Sequence, residues 1–389
     1  MKKVMRVLAI VLSLALVMGC LTACGNKADG NKSDSSAIKI GGIGPITGAA
    51  AVYGQAVKNA AELAVEEINA LDDGIKFEYK FEDDEHDAEK SVNAYNTLKD
   101  WGMQILCGCV TSTPCTAVAA ESYNDRIFTL TPSASSTDVT KDKDNVFQMC
   151  FSDPNQGTAS AQYISEQNLG TKVAIIYNNG DNYSTGIYQK FKAEAETRGL
   201  EIVSVETFPS DDTTDFKTQL GAAKNAGADI LFLPIYYTPA SLILKQASDM
   251  KFDVKVFGVD GMDGILTLKN FDTSLAEGVM LLTPFSADAT DDHTASFVKK
   301  YEEKYGETPI QFAADAYDCI YALYNACKSQ GITNDMSNEE ICKKLISQFT
   351  DSSFTFDGLT GDGMQWNDKG EVTKPPKGMR IENGKYVGM

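Results

Sequence analysis

The chain has 389 residues, 43% of them hydrophobic, and a formal net charge of −19 at pH 7. This length is enough for two domains of ordinary size. So acidic a chain is unsuited to nucleic acid or to an anionic membrane surface, because both carry negative charge. We therefore expect no nucleic-acid partner.

The first 23 residues have the composition of an export signal. Three of the first six residues are basic, and an apolar core follows at residues 7–18. This core is too short to span a membrane as a helix. Small residues then precede Cys24. This arrangement resembles a bacterial lipoprotein signal and implies that residues 1–23 are removed and Cys24 is lipidated. Cys20 is a weaker candidate for the lipidated residue, and an ordinary cleaved secretory peptide is the alternative interpretation.

The segment that follows the signal is small, polar and without periodicity. Residues 24–37 are therefore expected to form a flexible tether. Loss of three basic residues with the signal takes the net charge from −19 to −22. No later stretch is apolar enough to span a bilayer, so contact with the membrane is expected only through the lipid anchor. The expected location is extracytoplasmic, on the cell membrane, as in a Gram-positive bacterium.

Seven of the nine cysteines follow Cys24. An odd number cannot all pair within one chain, and most lie in apolar or helical patterns where cysteine acts as a small hydrophobe. They are Cys107, Cys109, Cys115, Cys150, Cys319, Cys327 and Cys342.

Strand and helix patterns alternate from residue 38 onward. Residues 38–43 are apolar and predict a strand, residues 57–68 have helical spacing, and residues 76–82 alternate as in a half-buried strand. A helix leading to Trp101, a strand at 104–109, a helix that starts near Pro114 and a strand that ends at the 131–135 loop follow. The order β-α-β-α-β-α-β is typical of a parallel sheet with helices on both faces.

The same rhythm returns in the second half of the chain, which predicts two similar lobes. Strands are expected at 172–177, 201–208, 229–235 and 254–258, with a further apolar run at 278–283. Helices are expected at 185–198, 213–226, 239–251, 296–305 and 312–327. Ser337 and Glu340 form a capping box that predicts a last helix at 338–349.

Three patterns admit a cofactor or metal, and each has a simpler interpretation. The glycines at 42–48 loosely match a dinucleotide fingerprint, but their spacing is wrong. The acidic stretch 82–87 could bind a metal, although carboxylates at a strand end are more often solvated. Residues 361–370 lack the closing Glu and the ligand spacing of a calcium loop. We expect no cofactor and no metal.

Hydroxyl-rich loops follow two strands of the first series, at residues 110–113 and 131–135. Ligands of open α/β sheets bind beyond the carboxyl ends of the strands. Pro114 suits the first turn of the next helix, and Ser112 or Thr113 suits its cap. The free N–H groups of that helix would suit a small anion such as a carboxylate.

A complementary acid follows a strand of the second series. Asp260 could hold an ammonium group, while nearby tyrosines offer apolar faces with polar tips. These tyrosines are Tyr183, Tyr236 and Tyr237. Together with the hydroxyl-rich loops, they indicate a zwitterion held between the two lobes.

The sequence contains no motif that indicates catalysis. The two histidines, His86 and His293, are not expected near Ser112 or Ser135, and the chain has no Gly-x-Ser-x-Gly elbow and no Cys-x-x-Cys motif. The protein is therefore not expected to be an enzyme.

A series of short motifs runs in one order along nearly the whole mature chain. They are Gly44-Pro45-x-Thr47-Gly48 with Tyr53-Gly54, Asp83-Asp84, Ser112, 131–135, Asn182-Tyr183, 257–261, 314–318 and the turn region 358–370. Because these motifs occur in this order, the chain resembles the leucine/isoleucine/valine-binding protein family from about residue 38 to 372. That family has the type I periplasmic-binding fold of ABC importers.

The resemblance implies an α/β fold of two Rossmann-like lobes with parallel-sheet cores, joined by a three-crossing hinge. The crossings are expected near 147–153, 279–285 and 354–363. The N-terminal lobe would comprise residues 38–149 and 284–354, and the C-terminal lobe residues 150–283 and 355–389.

The resemblance also implies roles for individual residues. Groups matching Ser112 and Ser135 bind the ligand carboxylate in the family, and the carbonyl matching Ser133 and the acid matching Asp260 bind its ammonium. Aromatic residues line the cleft, with Tyr236 and Tyr237 as alternatives because the register there is uncertain by one. The expected ligand-binding set is Tyr53, Ser112, Ser133, Ala134, Ser135, Tyr183, Tyr236, Tyr237, Asp260 and Phe312.

Two departures from the family pattern bear on the ligand. The acid is often Glu, and the shorter Asp260 would seat the ammonium deeper or bind it through water. A disulfide of Gram-negative members would join the positions of His86 and Thr111, so it is absent here.

The function implied by the resemblance is that of a monomeric solute-binding lipoprotein. It would capture an aliphatic, branched-chain-type amino acid by lobe closure and deliver it to the permease subunits of an ABC transporter. The alternative is a ligand-binding sensor of the same fold for another small amino acid, an amide or a carboxylate.

Overall fold

The structure is a computed structural model, and it describes residues 37–389. The expected signal peptide, Cys24 and all of the tether except Ala37 lie outside these residues. Within residues 37–389, no helix combines the length and the apolar character needed to cross a bilayer.

The first part of the chain builds a five-stranded sheet in which all strands pair in parallel, in the order β2-β1-β3-β4-β5. Its strands are β1 (Ile38–Gly44), β2 (Phe77–Asp83), β3 (Ile105–Cys107), β4 (Phe128–Thr131) and β5 (Val146–Gln148). The connecting helices are α1 (Ala51–Leu71), α2 (Ala88–Trp101), α3 (Ser112–Asp125) and α4 (Thr137–Thr140). Every residue of β3, β4 and β5 is buried, as expected for a parallel sheet covered on both faces.

The second part builds a seven-stranded sheet in the order β12-β11-β10-β9-β8-β6-β7. Its strands are β6 (Lys172–Asn178), β7 (Glu201–Phe208), β8 (Ile230–Leu233), β9 (Lys255–Gly258), β10 (Met280–Leu282), β11 (Gly378–Glu382) and β12 (Lys385–Gly388). Its helices are α5 (Asp153–Glu166), α6 (Asn182–Thr197), α7 (Lys217–Asn225) and α8 (Tyr237–Asp249), with short 3-10 turns at Asp260–Met262, Ile265–Thr267 and Thr273–Ala276. Strands β6 to β10 are parallel, and β11 and β12 add an antiparallel edge.

Three later helices return to the first sheet. These are α9 (Asp292–Tyr305), α10 (Gln311–Gln330) and α11 (Asn338–Phe349). Helix α10 packs along α1, and α11 contacts β4. The chain therefore crosses between the sheets after β5, after β10 and after α11, which confirms the two-lobed α/β fold with three crossings.

A buried ion pair fixes the third crossing to α10. Lys374 Nζ lies 2.6 Å from Asp315 Oδ1 and donates to Thr360 Oγ1 at 2.7 Å. Asp318, also on α10, accepts from the backbone N–H groups of Leu359 and Thr360. The side chains of Lys374 and Asp315 are 1% and 2% exposed, so each charge depends on the other.

Some local predictions are wrong. Helix α1 begins at Ala51, earlier than the 57–68 pattern indicated, so Tyr53 lies in its first turn rather than in the preceding loop. Helix α3 has Thr111 at the N-cap position with no side-chain cap, so neither Ser112 nor Thr113 is the cap. The strands β11 and β12 were not expected. The seven described cysteines are free and buried, as expected of small apolar side chains.

Candidate functional site

Loops at the carboxyl ends of both parallel sheets meet at a narrow cavity between the lobes. The surrounding side chains nearly fill it: the centre of a water-sized sphere can occupy only about 10 Å³. Its lining residues are Tyr53, Val110, Thr111, Ser133, Tyr183, Tyr236, Asp260, Gly261 and Phe312. The loops after β1, β3 and β4 thus face those after β6, β8 and β9, as the strand-end rule predicts.

Asp260 is the acid of this cavity. It follows β9 at the start of a 3-10 turn and is only 2% exposed. Tyr183 Oη donates to the Asp260 carboxylate at 2.6 Å. Two glutamines hold the backbone of Asp260: its N–H donates to Gln156 Oε1 at 3.1 Å, and its carbonyl accepts from Gln311 Nε2 at 2.9 Å. Burial raises the pKa of Asp260 to about 7 against the opposing hydrogen bonds. A cation in the cavity would favour the ionised carboxylate.

Aromatic rings form the walls. Tyr53 makes edge contacts with Tyr236, Tyr237 and Phe312 at centroid distances of 5.5, 4.9 and 4.8 Å. Tyr183 stacks on Tyr236 at 4.8 Å. Tyr53 also donates to the carbonyl of Gly261 and accepts from the Tyr237 N–H, so it spans the two lobes.

The structure separates the two neighbouring tyrosines of α8. Tyr236, at the N-cap position, lines the cavity, whereas Tyr237 lies behind Tyr53 and its hydroxyl accepts from the Val52 N–H at 3.2 Å. Of the two residues that the sequence left open, Tyr236 is therefore the one that lines the cavity, and a ligand contact by either stays a prediction.

The hydroxyl-rich loops are partly used within the protein. Ser133 lines the cavity and donates its hydroxyl to the Val110 carbonyl at 2.6 Å. Ser112 Oγ accepts from the Ser136 N–H at 3.2 Å. Ala134 donates its N–H to Thr131 Oγ1, and its carbonyl accepts from Gln148. Ser112, Ala134 and Ser135 are buried but do not line the cavity itself, so their ligand contacts stay a prediction.

Side chains of the acidic stretch 82–87 accept hydrogen bonds from backbone N–H groups. Asp83 accepts from Ile46 N at 2.9 Å and from Thr47 Oγ1 at 2.6 Å, which fixes the loop after β1. Asp87 caps α2 by accepting from the Lys90 N–H. Within residues 37–389, no group of three or more His, Cys, Asp or Glu is placed to hold a metal ion.

Several contacts across the cleft show that the lobes are closed. His86 Nδ1 lies 2.9 Å from Thr111 Oγ1, so a hydrogen bond joins the two positions for which the resemblance implied a disulfide in other members. His86 Nε2 lies 3.4 Å from Asp211 of the other lobe. Thr113 donates to Asp181 at 2.9 Å across the same gap. The contacts with Asp211 and Asp181 were not predicted, because the sequence does not reveal pairs so far apart. The expectation that His86 lies away from the loop of Ser112 is wrong, since His86 contacts the neighbouring Thr111.

Comparison with known proteins gives the same architecture. A model of the periplasmic binding protein family matches residues 37–385. Leu/Ile/Val-binding protein homolog 3 of Brucella melitensis is 28% identical over 302 residues, which cover 77% of this chain and 80% of that protein. The branched-chain amino acid transporter substrate binding protein LivJ of Streptococcus pneumoniae, solved in complex with isoleucine, is 29% identical, with a TM-score of 0.81 over 90% of this chain and 98% of that one.

A more distant likeness concerns the fold alone. A solute binding protein of an ABC transporter from R. palustris, solved in complex with benzoate, is 20% identical, with a TM-score of 0.79 over 91% of this chain and 95% of that one. Ligands within this fold therefore include compounds that have no ammonium group.

Two parallel α/β lobes that close on a cavity at their strand ends define a type I periplasmic binding protein. The chain belongs to the periplasmic binding protein family and has the Leu/Ile/Val-binding proteins among its relatives.

Proposed function

We propose that this protein is an extracytoplasmic solute-binding lipoprotein of an ABC importer. It captures an aliphatic, branched-chain-type amino acid between its lobes and delivers it to the permease subunits. The observation that carries the proposal is Asp260, a buried carboxylate in an aromatic-walled cavity between two closed lobes. A buried carboxylate is stabilised by a cation that also donates hydrogen bonds to it, as an ammonium group does.

The cavity supports one orientation of the ligand. The ammonium lies at Asp260 and the Ser133 carbonyl, and the carboxylate lies toward Ser112 at the start of α3, where free N–H groups favour an anion. The side chain lies among aromatic rings, where each buried methylene contributes about 0.8 kcal/mol. The narrow cavity and its aromatic lining favour a small apolar side chain over a charged one.

Calorimetry on residues 24–389 with a panel of ligands tests the binding role. Leucine, isoleucine and valine are expected to bind, whereas glutamate, lysine and benzoate are not. Asp260→Ala should weaken amino-acid binding by at least about tenfold, since it removes a charge-assisted hydrogen bond of about 1.5–3 kcal/mol. Asp253→Ala, at an exposed acid before β9, is the matched control.

The binding role would be rejected by a wild-type protein that gives no heat with any amino acid. An Asp260→Ala variant that binds as tightly as the wild type would reject the site.

The anchor and the transport role need experiments in cells. Labelling with a fatty acid should modify the wild type and spare a Cys24→Ala variant. Deletion of the gene should reduce uptake of the amino acid identified by calorimetry, and normal uptake would contradict the importer role.

A further inference from the structure

His86 is held at the cleft by a turn that its own residues do not favour. The Asp87 N–H donates to the Asp84 carbonyl at 2.8 Å, which closes a four-residue turn with Glu85 and His86 at its centre. Both central residues have positive φ, 50° and 61°, which Gly, Asn and Asp adopt more readily. Asp84 Oδ1 accepts from the His86 N–H at 3.0 Å and stabilises the turn. Such a costly backbone conformation is found where one side chain must be held in place.

The turn places the imidazole of His86 against residues of both lobes. Its Nδ1 atom lies 2.9 Å from Thr111 Oγ1 of the same lobe, and its Nε2 atom lies 3.4 Å from Asp211 Oδ2 of the other lobe. The ring also packs nearly perpendicular to Tyr236 of the other lobe, at a centroid distance of 5.6 Å. Because Thr111 and Tyr236 line the cavity and His86 does not, His86 supports the cavity wall from outside.

Tyr236 is the least anchored of the three tyrosine rings that line the cavity. The hydroxyls of Tyr53 and Tyr183 each donate a hydrogen bond to residues 260–261. The Tyr236 hydroxyl completes no hydrogen bond within the described part of the chain. Its ring is held by packing, stacked on Tyr183 at 4.8 Å on one side and set against His86 on another. Tyr236 is therefore the wall ring that moves at the lowest cost.

The closed cavity accepts a ligand side chain only if a wall ring moves. The space left between the side chains is about that of one water molecule. An aliphatic side chain needs more, so Tyr236 must move outward when a ligand binds. His86 limits that movement, and His86 is itself fixed by Thr111 and Asp211. The room available to the ligand side chain therefore depends on His86.

We propose that His86 is a positioning residue for ligand selection, which limits the outward movement of Tyr236 and restricts the ligand to aliphatic side chains no larger than that of leucine, to the exclusion of aromatic amino acids. This inference rests on the proposed amino-acid-binding function and adds to it the residue that sets the upper limit of side-chain size. A larger side chain displaces His86 from Thr111 and Asp211, so it also removes contacts that hold the lobes closed. Well-packed protein interiors resist added volume in the same way.

The test compares L-isoleucine with L-phenylalanine by calorimetry on residues 24–389. His86→Asn removes the ring but suits the turn, because Asn adopts positive φ more readily than His. Glu85→Asn is the matched control: it makes the same change at the other central position, where the side chain is exposed and pairs with Lys90 at the surface. We expect the wild type to prefer isoleucine by at least about 100-fold and His86→Asn to narrow this preference by about tenfold. Glu85→Asn should change it by less than about twofold.

A double substitution tests whether His86 acts through Tyr236. Tyr236→Ala removes the ring itself and should narrow the preference for isoleucine over phenylalanine in the same direction. Adding His86→Asn to Tyr236→Ala should then change the preference by less than about twofold, because the ring that His86 holds is already gone. An effect of His86→Asn that is equally large with and without the ring would overturn the inference.

Thermal unfolding without ligand separates ligand selection from a structural role. His86→Asn should unfold within about 3 °C of the wild type, because relief of the turn offsets the loss of the contacts of His86. A much lower unfolding temperature, together with equal weakening of isoleucine and phenylalanine binding, would indicate a structural role and overturn the inference.

The outcomes for the two proposals are distinct. An unchanged preference in His86→Asn, or a wild type that binds phenylalanine at least as tightly as isoleucine, would overturn this inference and leave the proposed amino-acid binding intact. A wild type that binds no amino acid would overturn both.

Discussion

Acidification from pH 8 to pH 6 should weaken isoleucine binding by about tenfold. Asp260 must be ionised to hold an ammonium group, and burial raises its pKa in the ligand-free protein to about 7. The ligand itself stays a zwitterion throughout this range, so its own charge does not change. Below pH 7, ligand binding must also remove a proton from Asp260, and this free-energy cost lowers the affinity.

The size of the effect follows from the ionised fraction. With a pKa of about 7, about 90% of Asp260 is ionised at pH 8 and about 10% at pH 6, which is a factor of about ten, or about 1.4 kcal/mol. Tyr183 and Asp315 also influence this carboxylate. The pKa of Tyr183 is raised well above its ordinary value, so Tyr183 does not titrate here, whereas burial raises the pKa of Asp315 to about 6.

The assay is calorimetry with isoleucine at pH 6, 7 and 8, on the wild type and on Asp260→Asn. The variant retains Asp153, Asp315 and His86, so the difference between the two profiles isolates Asp260. The wild type should lose about tenfold more affinity toward pH 6 than the weaker variant, which keeps only the pH dependence of the other groups. Parallel profiles for the two proteins would refute the reasoning, because another group would then carry the pH dependence.

Three further changes test other parts of the structure. Burial lowers the pKa of His86, but Asp211 and two other acids outweigh burial and raise the pKa overall, so His86 is charged and paired with Asp211 below that pKa. His86→Ala should therefore weaken isoleucine binding a few-fold more at pH 6 than at pH 8. An equal effect at both pH values would contradict this pairing. Lys374→Met leaves Asp315 buried and unpaired, so urea unfolding should show a loss of about 3–5 kcal/mol, and a loss below about 1 kcal/mol would contradict the buried pair. Ser337→Ala removes the cap of α11 and should lower the unfolding free energy by about 0.5–2 kcal/mol in the same assay, with an unchanged value arguing against the capping box.

The regular elements could be predicted wherever one local signal dominates. Helix α11 has the bounds that the Ser337–Glu340 capping box indicates, 338–349. The alternation of apolar strands and amphipathic helices gave the parallel sheets and the doubled lobes, because each pattern reflects burial of a whole face. The exact residue bounds of the two lobes stay a prediction.

Local signals failed where the tertiary structure decides. Thr111 is in the N-cap position of α3 without a side-chain cap, and its hydroxyl meets His86 instead. The β11–β12 hairpin was missed although Asn383-Gly384, both at positive φ, is a strong signal for a short hairpin turn. The apolar alternation in the two flanking segments is too weak to predict strands on either side of this turn.

The candidate site was only partly visible in the sequence. Asp260 and Tyr183 could be found because they follow strands that end at one edge of a sheet. The choice between Tyr236 and Tyr237 depends on where α8 begins, which the sequence leaves uncertain by one residue.

The most direct test of the whole account is a crystal structure of residues 24–389 with bound isoleucine. The account predicts closed lobes with the ammonium nitrogen about 2.7–2.9 Å from a carboxylate oxygen of Asp260. An isoleucine whose carboxylate, rather than its ammonium, lies at Asp260, or a complex in which Asp260 points away from the ligand, would contradict it.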